Sequence, residues 1–371
     1  MKVYVASFNF SPGHLSHLIA WYKLFNHIGY ETKLLLHYSY ENLIETEFDV
    51  VYINSNFSDR LDVLQADILL IQNPSIKNHS LAKKFKEKGA KIVYIYHEPW
   101  DSLQEYFKEG VKQAFKASVA HFFSTKLLSL SDSIIVPSKF ALKLYEKGDI
   151  KYNSNVFVIP LIFDDETKGF ELAPENKIYF SYIGTACKGH GFDELLNLLL
   201  SFDKKELLDL PFKFQIATKT DISELMNQQI RFLIKEGFLK INHGKPLKNS
   251  EINQAYANSF AVWNLYNRST QSGVLPKAQM FGASPIASTI GSFPEFIQNG
   301  VNGFLMNDYN FNNLKKTIYS AFENRKKLSE NCRSNFFQTF YFANYSREIK
   351  DIVENMLLGS LPKSAGRKKE I

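Results

Sequence analysis

Short apolar runs alternate with longer amphipathic stretches along this chain. In the first half the runs cover residues 3–8, 32–36, 50–53, 68–71, 92–96, 133–136 and 156–159, and they are rich in Val, Ile and Tyr. Several are apolar at every position, the pattern of strands covered on both faces. Most of the stretches between them are helical. Over residues 14–30, Leu15, Leu18, Ile19, Tyr22 and Phe25 fall on one stripe, and Gly29 is placed to stop the helix. Repeated strand and helix predict βαβ units around a parallel sheet.

Residues 163–176 interrupt this rhythm with Asp164, Asp165, Lys168, Gly169 and Pro174, and read as a linker. The alternation then restarts, with strands at 178–183, 212–217, 239–241, 260–265 and 285–287 and helices at 193–202, 221–236, 250–258 and 273–281. A last helical pattern, 345–358, follows a stretch rich in Phe and Asn. The expectation is an α/β protein of two facing Rossmann-like domains with a cleft between them. The first covers residues 1–165 and the second 170–340. A helix at 341–360 crosses back to the first domain, and a disordered charged tail fills 361–371. Open parallel sheets take ligands beyond the carboxyl ends of their strands, so the strand-to-helix turns are where chemistry is sought.

At 371 residues the chain can bury two cores. A net charge of +6 is a mild excess, its basic residues are scattered and no nucleic-acid module is visible, so no nucleic-acid partner is expected. Cys187 and Cys332 make neither a metal-type pair nor a disulfide framework. The first residues alternate like a strand rather than a signal peptide, and no apolar stretch approaches the roughly 20 residues of a membrane span. A cytoplasmic protein is expected. The 32 Phe residues read as core filling.

The strongest turn runs from Arg268 to Lys277. Ser272 is a suitable N-cap, Gly273 allows close approach to the backbone, and Pro276 lies in the first helical turn. From the residues alone this is either a diphosphate cradle at a helix N-terminus or a plain strand-turn-helix cap. The longer run SGVLPKAQMFGASPIASTIGSFPEFIQNGVNGFL, Ser272 to Leu305, resembles the donor motif of GT-B glycosyltransferases of family 4, the group 1 glycosyl transferases. That motif has a glycine turn, a small-residue pocket, a Gly-x-x-Pro-Glu loop and an Asn-Gly hairpin. The resemblance implies that Gly273, Val274 and Leu275 present N–H groups to the donor phosphates, with Gln271 and Ser272 in the same turn. It also implies two glutamates at positions that here hold Ser269 and Lys277. A lysine cannot accept hydrogen bonds, but it attracts phosphate or a carboxylate-bearing sugar. Either the donor is held differently, with Lys277 touching it, or catalysis has been lost.

A second turn, Gly184 to Leu196, follows a strand and opens a helix. It resembles the family's glycine, arginine and lysine-glycine turn, which neutralises the diphosphate. Ungapped, Thr185 stands at the arginine and His190 at the lysine; a short gap puts Lys188 there instead. Read without the resemblance, it is a glycine-rich connector with a solvated Lys188. Cys187 in this loop has no evident partner for nucleophilic work.

In the first half, Gly13 and His14 follow the first strand, and Gly13 would let a phosphate or sugar lie against the backbone. His14 and His17 are candidate sugar contacts or structural histidines. His97, at the end of the 92–96 strand, resembles the family's sugar-contacting histidine, with Glu98 beside it as an alternative acid/base group. Trp100 either stacks on a sugar ring or packs in the core. Residues 106–130 mix Phe107, Phe115, Phe122 and Phe123 with Lys108, Lys112, Lys116 and Lys126: a lipid-facing basic helix, or an interior stripe with a solvated lysine face.

The resemblance implies a hexosyltransferase-like enzyme that retains anomeric configuration. Its scheme requires no metal and no cofactor besides the nucleotide sugar as co-substrate. The expected partners are that donor, a glycan or lipid-linked acceptor and, through a peripheral contact, the inner face of the plasma membrane, in polysaccharide or glycoconjugate synthesis. Two rivals stay open. One is a catalytically silent glycosyltransferase-like subunit that binds a partner or glycan. The other is a different two-lobed α/β protein, such as an epimerase or a phosphate-ligand binder.

Overall fold

The structure, a computed structural model, describes residues 1–10, 12–44, 47–53, 63–108, 110–148, 154–307 and 310–358. The tail expected to be disordered, 361–371, lies outside these residues. The chain forms two compact units. One holds Met1–Ile162 together with the chain from Phe342 on, and the other is Phe163–Tyr341.

Among the described residues the first unit has seven strands: β1 (Lys2–Ser7), β2 (Glu31–His37), β3 (Val50–Ile53), β4 (Ile68–Gln72), β5 (Lys91–Ile95), β6 (Ser133–Val136) and β7 (Asn155–Val158). Their order is β3-β2-β1-β4-β5-β6-β7, and every neighbouring pair is parallel. Val5 in β1 lies between Leu34 of β2 and Leu70 of β4. Every residue of β4 is buried, which explains its unbroken apolar sequence. The second unit has β8 (Tyr179–Ile183), β9 (Lys213–Ala217), β10 (Leu239–Asn242), β11 (Ser259–Asn264), β12 (Ser284–Ser288) and β13 (Phe304–Met306), in the order β10-β9-β8-β11-β12-β13 and again all parallel. The α/β class with two Rossmann-like sheets is therefore as expected. The final helix, Ser346–Leu358, belongs to the first unit: it buries Ile349, Ile352, Val353 and Met356, and it rests on the helix Leu15–His27.

Three expectations need correction, and one stretch left unread in the sequence is helical. The helix expected over 221–236 begins as a 3-10 turn, Ser223–Leu225, and becomes α-helical only at Gln228–Lys235. The Asp221 side chain accepts from the Ser223 N–H and hydroxyl, and Asn227 caps the later helix. Short polar side chains here outcompete helical bonding. The Phe- and Asn-rich stretch forms two helices, Phe311–Glu323 and Arg325–Thr339. The second buries Leu328, Ser329, Cys332 and Phe336, a stripe diluted by small residues. Ser329 must be small, because the Gly282 turn comes so close that a Cβ there would sit 2.2 Å from its hydroxyl. The segment 163–176 is no slack linker, since Asp165 pairs with Arg333 and Glu166 with Lys277. Lastly, Phe304–Met306 pairs parallel to β12, so the Asn299–Gly303 turn leads into an edge strand rather than a hairpin.

The basic segment is split at Gly110 (φ +114°) into Leu103–Lys108 and Val111–Leu130. Its interior-stripe reading fails for Phe107, Phe115 and Phe122, which are exposed. Among the described residues no helix is long and apolar enough to cross a membrane.

Candidate functional site

Each sheet reverses its strand order once, between β1 and β4 in the first unit and between β8 and β11 in the second. Crossovers leave such a point in opposite directions and open a crevice at the carboxyl ends of the strands. The expected site residues gather at these two points.

In the first unit the organiser is Asn78, which is fully buried. Its side-chain carbonyl accepts the Phe8 N–H at 2.9 Å, just past β1. Its amide donates to the Gln72 and Asn73 carbonyls at 2.8 and 2.6 Å, just past β4. This holds Asn73 at φ +70°, the only left-handed non-glycine among the described residues. Asn73 Oδ1 lies 3.0 Å and Gln72 Nε2 3.3 Å from His14 Nδ1, so both side chains at the end of β4 aim at this one ring nitrogen. The His14 ring stands 5.4 Å from that of His97. The His97 side chain is only 15% exposed, and Glu98 Oε1 lies 3.9 Å from its Nδ1. Burial lowers the His97 pKa against the opposing pull of Glu98, so the imidazole is neutral at physiological pH. Glu98 is 68% exposed and lacks the enclosed setting a general acid uses. Trp100 stacks on His121 at 4.4 Å and packs on Tyr106 at 4.8 Å.

His14, His97, Glu98 and Trp100 thus meet around one cavity of about 670 Å³ in this unit. Gly13 is exposed beside it, with nothing within 4 Å of where a Cβ would stand. His17 is structural. Its Nε2 accepts from Trp21 Nε1, and Nδ1 donates to the Ile162 carbonyl. Burial pushes its pKa down to about 3, partly opposed by that backbone bond and reinforced by His97 and His14.

In the second unit, the loops after β8 and β11 are tied together through backbone. Trp263 Nε1 donates to the His190 carbonyl at 3.0 Å, and the Asn267 N–H to the Gly189 carbonyl at 2.9 Å. The Asn267 side-chain amide reaches the Lys188 carbonyl at 3.0 Å. Gly191, at φ +67°, lies so close that a Cβ would stand 2.3 Å from the Leu265 carbonyl. His190 is absorbed into this clamp: its ring stacks on Tyr266 at 4.3 Å, and its Nδ1 bonds the Thr185 carbonyl. Lys188 is exposed, and its ammonium has no ion-pair partner among the described residues. Of the two alternatives for a cation here, Lys188 is the one left available. Thr185 is exposed beside it, and Gly184, at φ +133°, faces Val274.

The Gly-x-x-Pro-Glu loop docks onto the same region. The Ser292 N–H donates to the Ser269 carbonyl at 3.1 Å, and a Cβ on Gly291 would fall 1.9 Å from that oxygen. The helix Val274–Met280 starts at Gly273, already in helical geometry, rather than at Ser272. Ser272 Oγ accepts the Val274 N–H at 3.2 Å, so one of the three N–H groups expected to face a donor is partly occupied. Gln271 and Leu275 are buried at this turn.

Lys277 is the largest departure. Its ammonium donates to Glu166 Oε2 at 2.9 Å, Asn249 Oδ1 at 2.9 Å and Asn253 Oδ1 at 3.0 Å. A lysine has three donors, so a direct donor contact would have to break this network. In this structure the side chain is a buried strut. Sequence reading missed Glu166, 111 positions away, because no local signal marks such a partner. It also missed Asn78, and it missed Asn73 although an Asn straight after a strand is a turn signal.

These two parallel sheets, each with its crevice at a switch point, are the GT-B architecture of glycosyltransferases. Neither a protein-family model nor a curated protein sequence matches the chain. Among solved structures it is similar to Alr3699/HepE from Anabaena in complex with UDP, with 15% identity, a TM-score of 0.69 and 96% of this chain and 100% of that one covered. It is also similar to a sucrose-phosphate synthase from Thermosynechococcus elongatus, with 12% identity, a TM-score of 0.71 and 97% and 100% covered. A third is the pneumococcal O-GlcNAc transferase GtfA with UDP and GlcNAc, with 13% identity, a TM-score of 0.68 and 96% and 99% covered.

Proposed function

We propose that the protein is a glycosyltransferase that moves a sugar from a nucleotide-sugar donor to a hydroxyl acceptor, the second unit taking the donor and the first the acceptor. The observation that carries this reading is the clamp at the β8/β11 switch point. The glycine turn after β8 is locked against the loop after β11 there, with the Lys188 ammonium exposed beside them. Similar structures hold UDP, UDP-glucose or GlcNAc, so a UDP-sugar is the first donor to try. Lys188 and the N–H groups of Gly273 and Leu275 stabilise the departing diphosphate electrostatically, without a metal in this scheme. Neutral His97 exchanges hydrogen bonds with a sugar hydroxyl, and Trp100, already packed on His121 and Tyr106, borders the sugar as an apolar wall. Lys277 acts at one remove, by fixing Glu166. Transfer proceeds with retention, in cytoplasmic glycan or glycoconjugate assembly. The exposed Phe107, Phe115 and Phe122, interleaved with Lys108, Lys112 and Lys126, support peripheral contact with an anionic membrane face.

Incubating the protein with a panel of nucleotide sugars, with and without saccharide acceptors, tests this. Release of nucleoside diphosphate that rises with an acceptor is the expected result. The unusual Ser269 and the internally paired Lys277 favour a second reading, a silent donor-binding subunit; binding without turnover for every donor and acceptor would establish it. Absence of both binding and turnover would remove both readings.

A further inference from the structure

The cavity of the first unit has a chemical bias that the reading above does not explain. Lys77 and Lys116 both line it, and among the described residues neither has an ion-pair or hydrogen-bond partner. Both ammoniums are donors only. Glu98 is the one carboxylate among the lining residues, and it is mostly exposed. Donors without acceptors match a group that only accepts, and two unpaired ammoniums match a doubly charged one.

We propose that this cavity binds an acceptor carrying a phosphate group, with Lys77 and Lys116 gripping the phosphate while Trp100 and His97 meet the sugar or polyol beside it. This rests on the reading of the first unit as the acceptor side. Charge on Lys77 is felt nearby: after burial, it is what lowers the pKa of His37, a neighbour on the cavity wall. The source of the phosphate can be a soluble sugar phosphate or a lipid headgroup. The helix Val111–Leu130 serves either source: Lys116, Ala120 and His121 line the cavity, while Val111, Phe115, Val119 and Phe122 lie exposed on another face.

Trp100 lies in the cavity wall and gives a signal independent of turnover. Tryptophan fluorescence is followed on titration with glucose, with glucose 6-phosphate, and with phosphatidylcholine vesicles with or without phosphatidic acid. Trp100→Phe identifies the responding residue. The expected result is a saturable response to a phosphorylated probe and none to its unphosphorylated counterpart. That response weakens roughly tenfold or more in Lys77→Gln and in Lys116→Gln and is restored in part by Lys→Arg. A response to glucose 6-phosphate assigns a soluble source. A response to phosphatidic acid vesicles alone, lost in Lys77→Gln, assigns a lipid one. Equal responses to glucose and glucose 6-phosphate, no response to any probe, or lysine variants that titrate like the parent would overturn the proposal. Because no donor is present, failure here leaves the nucleotide-sugar assay to stand or fall separately.

Discussion

The two switch points solve the same topological problem with different materials. In the first unit the crevice is furnished by side chains: Asn78 pins two strand ends, Asn73 is held left-handed, and His14, His97 and Trp100 project around a cavity. In the second it is furnished by backbone. Glycines let one loop lie directly on another, and the hydrogen bonds run mostly to carbonyls. Backbone chemistry is the same whatever the sequence, so such a region is fixed by where glycine is compulsory. A side-chain pocket is fixed by which residues stand around it, and it can change its ligand one substitution at a time.

The sharpest way to break this contrast is Gly291→Ala. The new methyl would meet the Ser269 carbonyl at 1.9 Å from a backbone at φ +66°. A loss of about 4 kcal/mol in urea unfolding is expected, from conformational strain and overpacking together. A loss below about 1 kcal/mol would show that the loop is not held by close backbone contact. Next is Lys277→Met, which takes the counter-charge from a largely buried Glu166 and leaves it the Asn249 and Asn253 amides. It should cost about 3 kcal/mol. The double variant with Glu166→Gln should cost clearly less than the two changes summed; strict additivity would mean the pair does not interact.

A pH series comes third, because side chains titrate and backbone does not. Unfolded His17 takes up a proton near pH 6.5, whereas the folded residue refuses it until about pH 3. Its contribution is therefore complete above pH 6.5 and is lost on acidification, by up to about 1.4 kcal/mol per pH unit. His37, His97 and His121 shift in the same direction, so the slope is read against His17→Gln. An unchanged slope in that variant would mean His17 is not buried in its neutral form. The smallest effect belongs to Gly13→Ala. With open space around it, stability should move by less than about 0.5 kcal/mol. If the glycine admits a ligand to the backbone, acceptor binding weakens while the unfolding curve stays in place.

The sheets were legible because β4 and its neighbours are buried on both faces and so carry unbroken apolar runs. The glycine turns were legible for the reason just given: Gly184, Gly191 and Gly291 are conformational demands visible as letters. What stayed hidden depended on partners distant in sequence. Nothing near Lys277 announces Glu166, Asn249 and Asn253, and without them its charge read as a phosphate ligand. His190 and Lys188 could not be ranked until Tyr266 was seen stacked on one of them. The helix Arg325–Thr339 was obscured because its neighbour at Gly282 admits only small side chains, which weakens the apolar period. The exposed Phe115 and Phe122 looked like core residues, because composition alone does not say which side of a helix has a neighbour.

The closing helix has a consequence for how the protein is made. Ser346–Leu358 belongs to the unit that begins the chain, where it covers Leu15–His27 with Ile349, Ile352, Val353 and Met356. On the ribosome the middle unit, an uninterrupted stretch from Phe163 to Tyr341, can fold as soon as it emerges. The unit synthesised first must wait for Ser346–Leu358 before its apolar flank is sealed. A nascent chain stalled short of Ser346 would therefore carry that flank open to chaperones.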